Sequence, residues 1–82
     1  MFKVRVYVTL RESVLDPQGQ AVKGALHSLS FNEVNEVRIG KFMELQVEAS
    51  DRAQVEVRVG EMCEKLLANT VIENYRYEIV EG

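Results

Sequence analysis

Cysteine, histidine and proline each occur once in these 82 residues, and each scarcity narrows what the chain can do. Cys63 has no second cysteine to join, so an internal disulfide is excluded. His27 is the sole imidazole, and no Cys/His spacing builds a metal site around it. Nor does the pattern identify a histidine that would activate Cys63 as a nucleophile. Long apolar runs are missing as well: nothing approaches the roughly 20 residues of a membrane-spanning helix. The opening MFKVRVYVTL alternates apolar and polar residues and lacks the continuous apolar core of a secretory signal. A cytoplasmic protein with no membrane partner is expected. Basic residues are not in excess, since the net charge is −3 and the Lys and Arg residues are scattered from Lys3 to Arg76. Nucleic-acid binders gather such residues into a patch, so no nucleic-acid partner is expected.

What is present is an ordinary globular composition, 46% hydrophobic and 28% charged. No linker, low-complexity tract or visible repeat interrupts it, and a single domain over residues 1–82 is expected. A chain this short buries roughly 60% of the surface its unfolded form exposes, which is a motive for association with further protein.

Periodicity gives the architecture. Val4, Val6, Val8 and Leu10 alternate with Lys3, Arg5, Tyr7 and Thr9, as a strand with one buried face requires. Asp16-Pro17 then opens a helix: the carboxylate accepts an orphaned backbone N–H, and proline at the next position has its φ preset. Ala21, Val22, Ala25, Leu26 and Leu29 form its apolar face, with Lys23 and His27 on or near the other side. Val37 and Ile39 suggest a second strand, with Gly40-Lys41 fitting a tight hairpin into a third, where Met43, Leu45, Val47 and Ala49 alternate with polar residues or Phe42. Ser50 or Asp51 caps another helix whose buried face is Val55, Val59, Met62, Cys63, Leu66 and Leu67, with Gly60 as a weak spot and Asn69 as a stop. Tyr75, Tyr77 and Ile79 alternate through a last strand.

The order β-α-β-β-α-β points to an α+β, ferredoxin-like fold: a four-stranded antiparallel sheet with two helices on one face. The first and third strands are then neighbours, which sets Lys3 and Arg5 against Glu44 and Glu48. Tyr7 and Phe42 fall on the face that the helices do not cover, a reasonable association surface.

Catalytic candidates are weak. His27 reads as a solvated helix residue, Cys63 as a buried, inert thiol, and the many glutamates as solvated surface. Asp16-Pro17-Gln18-Gly19 reads first as a cap, and a helix start with an early glycine also suits an anion or partner. Arg38-Ile39-Gly40-Lys41 reads as an exposed basic turn, with a phosphate contact as the alternative.

The same segments carry a resemblance. Lys3-Val4-Arg5-Val6-Tyr7-Val8, Val14-Leu15-Asp16-Pro17-Gln18-Gly19, Ala21-Val22, Ala25-Leu26, Val37-Arg38-Ile39-Gly40-Lys41, Glu44-Leu45, Cys63-Glu64-Lys65-Leu66-Leu67-Ala68-Asn69 and Val71-Ile72-Glu73, leading to Tyr75, together resemble the PurS family. That family is the small subunit of phosphoribosylformylglycinamidine (FGAM) synthase. Ser13, Thr70 and Asn74 depart from the glycine, proline and aspartate common in relatives, at connection or surface positions. The resemblance implies a non-catalytic subunit, with no catalytic, cofactor or metal residue of its own, in a glutamine-dependent amidoligase complex that uses ATP and magnesium. Its implied partners are a second copy of itself, as a homodimer or higher, and the glutaminase and large synthetase subunits. It is thought to bridge these and to assist ammonia transfer. Tyr7, Asp16, Gln18, Gly19, Arg38, Gly40, Lys41, Phe42 and Asn69 are the expected dimer or partner contacts. Two other readings remain open from the residues: an ACT-like regulatory domain binding a small molecule near Gly19 or Gly40, and a small enzyme using the open sheet face.

Overall fold

Valines at 4, 6 and 8 make the first strand the natural centre of the sheet, because β-branched residues pack well on a pleated surface. In the computed structural model, which describes residues 1–81, β1 (Phe2–Leu10) lies between β2 (Gly40–Val47) and β3 (Glu73–Glu81), antiparallel to both. The register sets Val4 opposite Leu45 and Ile79, and Val6 opposite Met43 and Tyr77. Alternation therefore separates an apolar inner face from an outer face carrying Lys3, Arg5, Tyr7 and Thr9.

α2 (Arg52–Met62) covers the inner face. Asp51 caps it by accepting the Gln54 N–H at 2.8 Å, and its Val55, Val59 and Cys63 side join Val4, Val6, Val8, Ala68 and Ile79 in the core. The helix runs on into a π-helical turn over Cys63–Leu67, in which the Ala68 N–H reaches back to the Cys63 carbonyl at 3.1 Å. Tyr75 and Tyr77 tie the π-helical turn and α2 to β3, their hydroxyls donating to the Glu64 carboxylate at 3.0 Å and the Glu56 carbonyl at 3.5 Å. Leu66, expected in the buried helix face, is 83% exposed instead. It lies in the π-helical turn and lines an open groove with Leu45 of β2.

Three expectations are corrected. Among the described residues the sheet has three strands, not four: no strand forms over Val37–Ile39. The polar groups there bond elsewhere, the Ile39 N–H to Asp16 Oδ2 at 2.9 Å and the Arg38 guanidinium to the carbonyls of Leu10 and Arg11 at 2.8 Å each. Gly40-Lys41 is not a hairpin turn but the start of β2, opposite Thr9 and Val8. No described glycine has positive φ, and Gly40 is needed for close approach, since a Cβ there would strike the Val8 carbonyl oxygen. Lastly, only one helix covers the sheet. α1 (Pro17–Ser28) forms as its cap and periodicity demand, yet Gly19 is its only buried residue, and Val22 and Leu29 are 40% and 67% exposed. It projects from the sheet as an arm. The chain extends 51 × 28 × 14 Å with a radius of gyration of 16.2 Å, against roughly 12 Å for a compact chain of this length.

Candidate functional site

At one end of the sheet β1 leaves, β2 enters and β3 begins, Thr9 facing both Gly40 and Asn74. Most of the expected contact residues meet there. Asp16, 4% exposed, accepts the Gly19 N–H at 3.0 Å on Oδ1 and the Ile39 N–H on Oδ2, so one carboxylate closes both ends of the α1 excursion. These two backbone donors, aided by the Arg38 charge, hold its pKa below the usual carboxylate value of 3.8. Gly19 is required because a Cβ would meet the Val37 carbonyl oxygen and the Asp16 carboxylate itself.

Glu73 is a second such anchor. Its carboxylate accepts the Asn69 N–H at 2.7 Å and lies 3.4 Å from Lys41 Nζ, and both lower its pKa from 4.5, the amide most. Asn69 does not simply stop the helix: its Oδ1 accepts the Val71 N–H at 3.2 Å and shapes the turn into β3. Gln18, Gly40 and Lys41 line a cavity of about 200 Å³ with Asp16 and Glu73.

The outer sheet face next to this junction carries the expected aromatic pair. The Tyr7 and Phe42 rings lie 5.2 Å apart, inclined at 42°, and the Arg76 guanidinium sits 4.0 Å over Tyr7. With Thr9, Gly40 and Asn74 they line an open depression of about 370 Å³. Around it Lys3 and Arg5 approach Glu44 at 3.5 and 3.8 Å, and Arg76 approaches Glu78 at 3.3 Å. Glu48 takes no part, because β2 ends at Val47. Such exposed pairs contribute little stability and mainly set the charge pattern a partner meets. Arg76, Glu73 and Thr9 belong to the site although none was among the expected contacts. Strand alternation already set Arg76 on the outer face; no sequence signal tied Glu73 to Lys41.

Nucleophilic chemistry finds little footing. Burial, with Glu64 nearby, raises the Cys63 thiol above its ordinary 9.0, and the hydrogen bond to Glu64 raises the Tyr75 hydroxyl above 10.0. His27 is exposed and its Nε2 pairs with the Val34 carbonyl at 2.8 Å, bracing the segment after α1.

Residues 3–81 match the family model PurS, described as phosphoribosylformylglycinamidine (FGAM) synthase. The chain belongs to the PurS family. A Bacillus subtilis PurS, the phosphoribosylformylglycinamidine synthase subunit, is 69% identical over 81 residues, which cover 99% of this chain and 95% of that one. The solved B. subtilis PurS structure in its C2 crystal form has a TM-score of 0.87, covering 99% and 100% of the two chains. A chain in the structure of PurLQS from Thermotoga maritima is 33% identical with a TM-score of 0.89, covering 96% of each. The elongated shape with a projecting α1 thus accompanies close likeness to solved PurS chains.

Proposed function

We propose that this chain is the non-catalytic PurS subunit of FGAM synthase, acting in the cytoplasm as one domain, residues 1–82, in de novo purine biosynthesis. Gly82 lies outside the described residues. The supporting observation is the likeness along nearly its whole length to PurS subunits, including a chain of a PurLQS structure. The enzyme converts formylglycinamide ribonucleotide and glutamine to FGAM at the expense of ATP. Within it, a glutaminase subunit releases ammonia and the large synthetase subunit, using ATP and magnesium, installs it. This chain, paired with a second copy of itself, bridges the two. Ammonia released into water near neutral pH is mostly protonated, and ammonium is no nucleophile. A bridge that joins two active sites and excludes bulk water keeps the ammonia neutral and locally concentrated.

The outer face supplies a partner surface: Tyr7, Phe42 and Arg76 make contact, while Gln18 and Lys41 extend it round the sheet end. Asp16, Gly19, Arg38, Gly40 and Asn69 act indirectly, by holding the junction in shape. The deciding assay combines purified glutaminase and synthetase subunits with ATP, formylglycinamide ribonucleotide and glutamine. Glutamine-dependent product is expected only when this chain is added, whereas ammonium salts support product without it. Product formation indifferent to the chain would overturn the bridging role. Replacing Tyr7 and Phe42 together by alanine should cut the coupled rate at least about tenfold if this surface loses more than about 1.4 kcal/mol of binding, with circular dichroism unchanged.

A further inference from the structure

β3 is an edge strand, paired with β1 on one side only, and its own hydrogen bonds say which backbone groups are left over. Its register with β1 runs unbroken, without a bulge, from Leu10 opposite Glu73 to Phe2 opposite Glu81. Just before the strand the Arg11 N–H donates to the Ile72 carbonyl at 2.8 Å, so the even-numbered residues of β3 turn their backbone groups to β1. The Glu73 N–H accordingly points the other way, and the Asn69 carbonyl accepts it at 2.7 Å. The N–H and C=O groups of Tyr75, Tyr77 and Ile79 therefore line the open edge, and among the described residues nothing bonds them there. Proteins guard such edges with lysine, proline, a bulge or a covering segment. Glu73–Glu81 contains neither lysine nor proline.

The charges on this strand form a self-complementary set instead. Arg76 and Glu78 flank Tyr77 on the outer face, exposed and 3.3 Å apart. In an antiparallel pair with a second copy, about a twofold axis at Tyr77, Arg76 faces Glu78 of the second copy and Glu78 faces its Arg76. The same register lets Tyr77 exchange two N–H···O bonds with its counterpart, while Tyr75 exchanges bonds with Ile79 of the second copy. These are the groups that β1 leaves unused. On the inner face Tyr75 then stands beside Ile79, apolar against apolar. Moving the axis by one residue either way sets Arg76 against Arg76 or Glu78 against Glu78, so the charges select one register. β2, the other edge, has no such set. Its Lys41 lies opposite Val8 on the inner face and its Glu44 opposite Arg5 on the outer, so no twofold pairing opposes them.

We propose that β3 joins two copies edge to edge, so that the three strands of each become one antiparallel sheet of six. Main-chain bonds hold the junction, and the exposed ion pairs set its register more than its strength. The groove lined by Leu45, Met62 and Leu66 lies towards β2, so a copy at β3 leaves that side free for other contacts. The outer faces become continuous, presenting Tyr7 and Arg76 of both copies to a partner subunit. This inference rests on the self-association proposed above and assigns a surface to it, and its test separates the two.

In sedimentation equilibrium the parent chain shows a pairing step that Arg76→Glu and Glu78→Arg each weaken about tenfold or more, because each sets like charges opposite one another at two symmetric points. The double variant Arg76→Glu/Glu78→Arg restores the pairing, since every opposed pair is again of opposite sign. Circular dichroism stays that of the parent, as both residues are exposed. Independently, copies carrying Arg76→Cys, mixed with copies carrying Glu78→Cys and mildly oxidised, give a mixed disulfide. Opposed residues that are not hydrogen-bonded have Cα atoms about 4.5 Å apart, within disulfide reach, and native Cys63 is buried. A double variant as weak as the single ones, with no mixed disulfide, would overturn the β3 junction and leave self-association standing. Single variants that lose glutamine-dependent product at unchanged sedimenting mass would also overturn it, giving the edge to a strand of another subunit. A parent chain that sediments as a monomer would overturn both.

Discussion

Asp16 shows how much a single side chain can organise. Its role as helix cap is legible in the dipeptide Asp16-Pro17, because capping is local chemistry. Its second bond, to the Ile39 N–H, spans 23 positions and has no local signature. Both bonds favour the ionised carboxylate, as do the Asn69 amide and Lys41 for Glu73. On acidification the unfolded chain therefore takes up protons first. Stability is expected to hold at neutral pH, to fall as pH drops below 4.5 and 3.8, the ordinary values of the two groups, and to go on falling through their lowered native values. Urea midpoints measured across this range check it, and Asp16→Asn should lower the neutral midpoint while flattening the acid slope. The raised Cys63 thiol works in the other sense, so stability should also decline as pH climbs above 9.0.

At the scale of elements, α1 ends in a Schellman arrangement. The Phe31 N–H donates to the Leu26 carbonyl at 2.9 Å and the Ser30 N–H to the His27 carbonyl at 3.0 Å, with Ser30 at φ 74°. Serine bears a Cβ penalty there that glycine would not, so Ser30→Gly is expected to stabilise the chain by about 1 kcal/mol. In α2, Gly60 has open space where a Cβ would sit, and Gly60→Ala should add roughly 0.5–1 kcal/mol by helix propensity alone. Chemical denaturation with an unchanged m-value is the check for both. Val59→Ala removes two methyl groups from a fully buried site and should cost about 2 kcal/mol by the same measurement. Helix existence, caps and apolar spacing were legible in the sequence. The π-helical turn over Cys63–Leu67 was not, and neither was the loss of the strand at Val37–Ile39, where Asp16 and the side chain of Arg38 draw the segment away from a ladder.

For the whole molecule, the buried hydrophobic core among the described residues contains nothing larger than isoleucine, and the α1 arm contributes none of it. A chain this small gains marginal stability from such a core alone. If folding is completed by a second copy, the melting temperature must depend on concentration. A tenfold increase is expected to raise Tm by about 4 °C, from the unfolding entropy of two chains, as differential scanning calorimetry can measure. A concentration-independent Tm would mean that the single chain carries its stability unaided.

The sequence by itself determined the central strand, the two amphipathic helices, the Asp16 cap, the pairing of Lys3 and Arg5 with Glu44, and the place of Tyr7 beside Phe42 on the outer face. All of these follow from periodicity and local hydrogen bonding, which need no knowledge of distant residues. Only the tertiary structure decided that Asp16 joins Gly19 to Ile39, that Glu73 joins Asn69 to Lys41, and that α1 stands clear of its own sheet. An apolar stripe on a helix states that the helix must be covered. It does not say by which surface, because burial is non-directional and the stripe reads the same whether the covering face lies in the same chain or in another.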